Sequence, residues 1–219
     1  MTKHTSGAFY YFAVGPLYLA RGFDRSVLIG TVAFETIRWG VLAFVLSRLA
    51  VRLQDAGVTS GFALRQNLKR APSLLGIGIA VGVVVTVILY GLSLIEYRVG
   101  YLNVLPWPVA NGEALDVRLV AGGGVRNLVG EEVFARLGAQ SIALSLLQRM
   151  RARAALAVIL SSLYFEIWHN PFEVPQFLNF AASCVLAWAY HKFGYEVAAV
   201  AHCVADWLAL GFLPAILFR

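Results

Sequence analysis

The chain has 219 residues, of which 59% are hydrophobic and 14% charged, and its mean hydropathy is +0.72. A soluble domain carries about a quarter charged residues, so the composition excludes that class and indicates a polytopic membrane protein whose helices close their own backbone hydrogen bonds in lipid. The net charge of +6 does not indicate nucleic acid, because the basic residues stand in short blocks between apolar runs and form no basic face or aromatic-interleaved domain.

In chain order, residues 8–20 (AFYYFAVGPLYLA) are apolar but too short to span, and Pro16 interrupts them. An interfacial or re-entrant helix is expected there rather than a signal-peptide core, because Arg21 directly after Ala20 makes a poor cleavage site. Residues 27–47 form a first span, whose Glu35 and Arg38 stand three apart on one face and can neutralise each other. Residues 73–95 (SLLGIGIAVGVVVTVILYGLSLI) form the cleanest span, without a charge, and Gly76, Gly78 and Gly82 offer small surfaces for helix packing. A polar loop over 96–124 follows, with Pro106, Pro108 and Gly122-Gly123-Gly124.

Four further helices are expected at 126–148, 153–170, 175–191 and 196–217, with Pro171 and Pro175 bracketing a turn. The predicted fold is therefore all-α, a polytopic transmembrane helical bundle of about six spans plus a short N-terminal interfacial helix. Residues 1–219 would form a single membrane domain, with N-terminal helices of less defined role in 1–100 and the chemistry in 125–210. Cys184 and Cys203 both fall inside apolar spans and read as packing residues.

This arrangement puts Arg48, Arg52, Arg65, Lys69, Arg70, Arg149, Arg151, Arg153 and Lys192 on one side of the membrane. Arg21, Arg25, Arg98, Arg118, Arg126 and Arg219 lie opposite. The larger basic set is expected to be cytoplasmic.

The stretch GEEVFARLG, residues 130–138, breaks the apolar pattern with two glutamates and an arginine. Each charge near the middle of a membrane helix costs about 2.5–3.5 kcal/mol, whereas a leucine-like residue returns only about 0.3–0.6 kcal/mol. Three charges so close together need partners or a wet cavity. Glu132 and Arg136 stand four apart in the order that favours an ion pair. Glu131 is about 100° further round an α-helix and is left to face a pocket. The plainer alternative places this helix end at the interface, with all three charges solvated.

Two later helices carry further pairs at the same spacing, Phe165/His169 on one face, with Glu166 between them, and His202/Asp206. Counted from the expected cytoplasmic ends, Glu131 and His169 lie about 24–25 Å deep, and His202 and Asp206 about 13 and 20 Å. Ordinary helix tilt would let the four converge, with His202 the poorest fit.

Glu131-Glu132-x-x-x-Arg136, Phe165-x-x-x-His169 and His202-x-x-x-Asp206, in this order, resemble the three motifs of the CPBP family, the CAAX-protease and bacteriocin-processing proteins. The resemblance covers about 125–210 and implies a helical membrane endopeptidase with its site in a hydrophilic cavity. It further implies that Glu131, assisted by His169, activates a water molecule, while His202 and the residue at 206 stabilise the oxyanion. Glu132, Arg136, Phe165 and Glu166 would support them. Apart from the resemblance, Glu166 stands three residues before His169, a spacing from which it could orient that imidazole.

Two positions depart from the pattern. Asp206 stands where the best-studied members carry Asn, and an ionised Asp cannot donate to an oxyanion. The order Phe134-Ala135-Arg136 replaces the frequent Arg-Gly after the aromatic residue. The resemblance also implies a membrane-anchored protein or peptide as substrate, no cofactor, and a multi-pass location in a cell membrane, as in bacterial inner membranes.

Three alternatives stay open on the sequence. Glu131, His169, His202 and Asp206 are a credible zinc donor set of two imidazoles and two carboxylates. The charged cluster would serve a non-enzymatic binding or immunity protein as polar glue between helices. A proton-coupled transporter would also bury Glu and His, although about six spans without a repeat are few for such folds.

Overall fold

The computed structural model describes residues 25–100, 130–169 and 177–212, with backbone alone for 25–36, 38–39, 168–169, 177–178 and 210–212. The architecture is all-helical, and no strand occurs among the described residues. We number the helices α1 (Arg25–Asp55), α2 (Ala71–Arg98), α3 (Val133–Leu146), α4 (Arg153–His169), α5 (Phe177–Phe193) and α6 (Tyr195–Asp206). A single turn, Ala63–Gln66, and a 3-10 turn, Leu68–Arg70, precede α2. The expected interfacial helix at 8–20, most of the loop over 96–124 and the Pro171–Pro175 turn lie outside the described residues.

The helices fall where apolar periodicity placed them, with shifted ends. α1 runs past 47 to Asp55 and stops at Gly57, whose φ of 70° supplies the left-handed residue of a Schellman cap. There Gly57 N–H donates to Gln54 O at 2.9 Å and Val58 N–H to Leu53 O at 2.8 Å. α2 opens with Pro72 in its first turn, where the missing N–H costs nothing.

Among the described residues one helical stretch, Leu68–Arg98, is long and apolar enough to cross a membrane. Its Leu75, Ile79, Val83, Val84 and Val87 are exposed on the outer face, as a lipid-facing surface requires. α3, α4 and α5 have 17 residues or fewer, and α6, of 12 residues, runs on as a π-wound stretch of six, Trp207–Phe212, so none exceeds the lower part of the usual spanning range. The count of six therefore does not follow from helix length and hydropathy.

α2 packs against α6 more extensively than any other pair. The two run parallel, since Gly78 meets Val197 and Val200, Gly82 meets Ala201 and Val204, and Tyr90 Oη donates to Ala209 O at 3.2 Å. A Cβ on Gly82 would lie 2.7 Å from the carbonyl oxygen of Ala201, and one on Gly78 2.8 Å from Val200. These two glycines let the backbones approach, whereas Gly76 faces open space and takes no part. Val85, Ala182, Leu186, Ala201 and Ala205 fill the layer that joins α2, α5 and α6.

One end of the bundle is tied together by backbone capping. Gln54 Nε2 donates to Ser60 O (2.8 Å) and Phe62 O (2.9 Å), and Glu196 accepts from the N–H groups of Ala63 (2.9 Å) and Leu64 (3.0 Å). Ser60 Oγ donates to the carbonyl of His191, and Val58 packs on Ala143, Leu144 and Ala157. The end of α1, the 59–66 segment, the α3–α4 turn and the α5–α6 turn therefore meet. That is the grouping expected for the larger basic set.

The α2–α6 contact yields a direct contrast. Gly82→Val should cost about 1–3 kcal/mol of unfolding free energy in detergent, whereas Gly76→Val should stay within about 0.5 kcal/mol of wild type. Denaturant titration followed by circular dichroism measures both, and equal effects would contradict the packing described.

Candidate active site

The first motif lies on backbone that is not regular α-helix. Residues 130–131 and 133–140 follow a π-type, i→i+5 winding before α-helix resumes at Ser141. Such windings are rare and concentrate at functional sites. A π turn holds more residues than an α turn, so consecutive side chains are separated by less than 100°. Glu131 and Glu132 can then face one partner, which the α-helical reading had kept apart.

That partner is His202 on α6. Its Nδ1 lies 2.8 Å from Glu132 Oε1, and its Nε2 lies 3.7 Å from Glu131 Oε2 and 3.9 Å from Asp206 Oδ1. Glu132 Oε2 accepts from Arg136 Nε at 3.0 Å, the expected four-residue pair. Arg136 Nη2 donates to Ser183 Oγ on α5 at 3.0 Å. A carboxylate paired with a guanidinium is acceptor-only, so His202 Nδ1–H is the donor and Nε2 points toward Glu131 and Asp206.

Burial overturns the interfacial, solvated alternative for the first motif. Glu131 is 1% exposed, and Glu132 and Arg136 are 0% exposed. The physical reason is pairing: Glu132 offers one oxygen to Arg136 and the other to His202, so neither charge depends on water. Phe165 closes the group from α4. Its ring lies 5.6 Å below the Arg136 guanidinium and 5.8 Å from the His202 ring at 61°, a cation–π contact and an edge-on aromatic contact.

The expected residues are thus brought together in large part. Glu131, Glu132, Arg136, Phe165, His202 and Asp206 form one cluster from α3, its preceding turn, α4 and α6. Glu166 is buried on α4 at 1% exposure. His169 is the last residue of α4, and its side chain lies outside those described. His202, the poorest fit by depth, sits at the centre of the group. An α-helical 1.5 Å rise overstates the depth of Glu131, because the π winding shortens α3, while His202 itself lies on regular α-helix.

Ser183, Gln140, Ser141 and Tyr190 were not singled out from the sequence. They pin α5 along α3: Gln140 Nε2 donates to Ala187 O at 2.7 Å, and Ser141 Oγ bonds Tyr190 Oη at 2.7 Å. Their only sequence signal is polarity inside apolar helices, shared by many small residues. For the zinc alternative, His169 is outside the described side chains. Among those described, no three His, Cys, Asp or Glu residues are grouped to hold an ion.

The ion pair makes a stability prediction. Glu132→Leu should cost about 3–5 kcal/mol by leaving Arg136 charged and unpaired in the interior, and adding Arg136→Met should recover much of that loss. Unfolding in detergent measures both variants, and a double variant worse than Glu132→Leu alone would contradict the described pairing.

No curated protein and no solved structure matches the chain. Residues 113–208 match the family model described as type II CAAX prenyl endopeptidase Rce1-like. The matched stretch includes all three motifs, from Glu131 to Asp206. This match over residues 113–208 is consistent with a CPBP-family CAAX protease.

Proposed function

We propose that this protein is an intramembrane endopeptidase that hydrolyses a peptide bond of a membrane-anchored protein or peptide. It works as a multi-pass protein of about six spans, with residues 125–210 as catalytic core of a single membrane domain. A bacterial inner membrane is the location that the family resemblance suggests. The observation that carries this reading is the buried convergence of Glu131, Glu132 and His202, since intramembrane charges that face inward mark functional sites.

In this mechanism the Glu131 carboxylate takes a proton from water as the water oxygen attacks the scissile carbonyl carbon. The 3.7 Å between Glu131 Oε2 and His202 Nε2 is a spacing that one oxygen atom can bridge from the side. His202 reaches the developing oxyanion through Nε2, because Glu132 occupies Nδ1. To donate there the ring must carry a proton on Nε2, and Glu132 balances the charge so created. Asp206, which cannot donate when ionised, acts by holding His202 or as the protonated acid. Collapse of the tetrahedral intermediate breaks the C–N bond, and the amine leaves with a proton supplied by Glu131 or His169.

The mechanism requires no metal ion. Cleavage of a lipid-anchored fluorogenic peptide in proteoliposomes tests it. Glu131→Gln should lower kcat roughly 10²–10⁴-fold, the contribution of a positioned base, with the unfolding midpoint retained. Cleavage at the wild-type rate would overturn the assignment. Dialysis against a chelator should leave the rate unchanged, and a loss restored by zinc would instead make the site metal-dependent.

A further inference from the structure

We infer that Ser183 is a positioning residue for the proposed reaction, setting the ring orientation and N–H tautomer of His202 through Arg136 and Glu132. The inference rests on the functional reading above, and the contacts behind it are independent of any substrate. They form an unbroken line across three helices: Ser183 Oγ on α5, Arg136 Nη2 and Nε on α3, both oxygens of Glu132, and His202 Nδ1 on α6.

Each link leaves little freedom. Arg136 is wholly buried, and Nη1 has no hydrogen-bond partner among the described residues. Its orientation therefore depends on Nε to Glu132, Nη2 to Ser183 and the Phe165 ring beneath. A guanidinium is planar, so two bonds from different nitrogens fix the plane, whereas one bond permits rotation. Glu132 has both oxygens engaged, and a tilt of the guanidinium turns the carboxylate against His202. His202 in turn presents Nε2 to Glu131 and Asp206 only while Nδ1–H stays on Glu132.

Ser183 is itself held in register. It is fully buried, and α5 meets α3 again at Ala187 with Gln140 and at Tyr190 with Ser141. The hydroxyl is thus delivered to Arg136 by a helix pinned at two further levels. None of the three motifs lies on α5.

The test uses the full chain with ¹⁵N-labelled histidine in lipid nanodiscs, His202 being assigned by loss of its signals in His202→Gln. Ser183→Ala should move the His202 Nδ1 and Nε2 resonances and lower kcat about ten-fold with KM unchanged, the size of one lost hydrogen bond. Ser183→Thr, which keeps the hydroxyl, should restore both readouts. Ser183→Cys, nearly isosteric and a weak acceptor, should behave like Ser183→Ala should that variant fold poorly. Unchanged His202 resonances in Ser183→Ala or Ser183→Cys would overturn the inference, as would an unchanged kcat in a chain that cleaves. A wild-type chain that cleaves nothing would sink the protease reading instead, while the resonances still decide whether Ser183 orients His202.

Discussion

A buried carboxylate shared between a guanidinium and an imidazole governs this site. Glu132 and Arg136 have no exposure, and desolvating such a pair costs several kcal/mol per ion unless geometry and further hydrogen bonds offset it. Here the offset comes from four helices: Arg136 on α3 paired with Glu132 in the turn before it, Ser183 on α5, Phe165 on α4 and His202 on α6. The interaction is costly to leave incomplete, so it specifies how those helices register as well as holding them together. His202, the residue with the most chemical options, is the one most constrained by it.

The rest of the bundle serves that arrangement through close packing and backbone capping. α6 brings His202 to the cluster because Gly78 and Gly82 let α2 lie against it, and Glu196 and Gln54 tie the start of α6 to the segment after α1. The site is therefore built on helices whose placement is fixed by close packing along α2 and α6 and by capping at one end. Rigid support of this kind is what a positioned base and donor require, since small displacements cost rate steeply.

Much of this was legible in the chain. Apolar runs located the helices, and the i, i+4 spacing identified Glu132 with Arg136 and placed His202 with Asp206. The π winding over 133–140 was not legible, because no residue pattern distinguishes i→i+5 from i→i+4 bonding. From it follows the misjudged separation of Glu131 from Glu132, which an α-helix would hold about 100° apart. Ser183 was illegible for another reason: a serine between alanine and cysteine reads as small packing until a neighbouring helix brings a charge to it. Gly76 shows the converse, since it shares its spacing with Gly78 yet faces outward.

The central claim is that the second glutamate of the first motif and the histidine of the third are directly bonded. A double-mutant cycle on unfolding free energy in detergent, combining Glu132→Gln with His202→Gln, measures this coupling. We expect an interaction of about 1–3 kcal/mol between the two positions. Additivity within about 0.3 kcal/mol would show that the side chains do not meet.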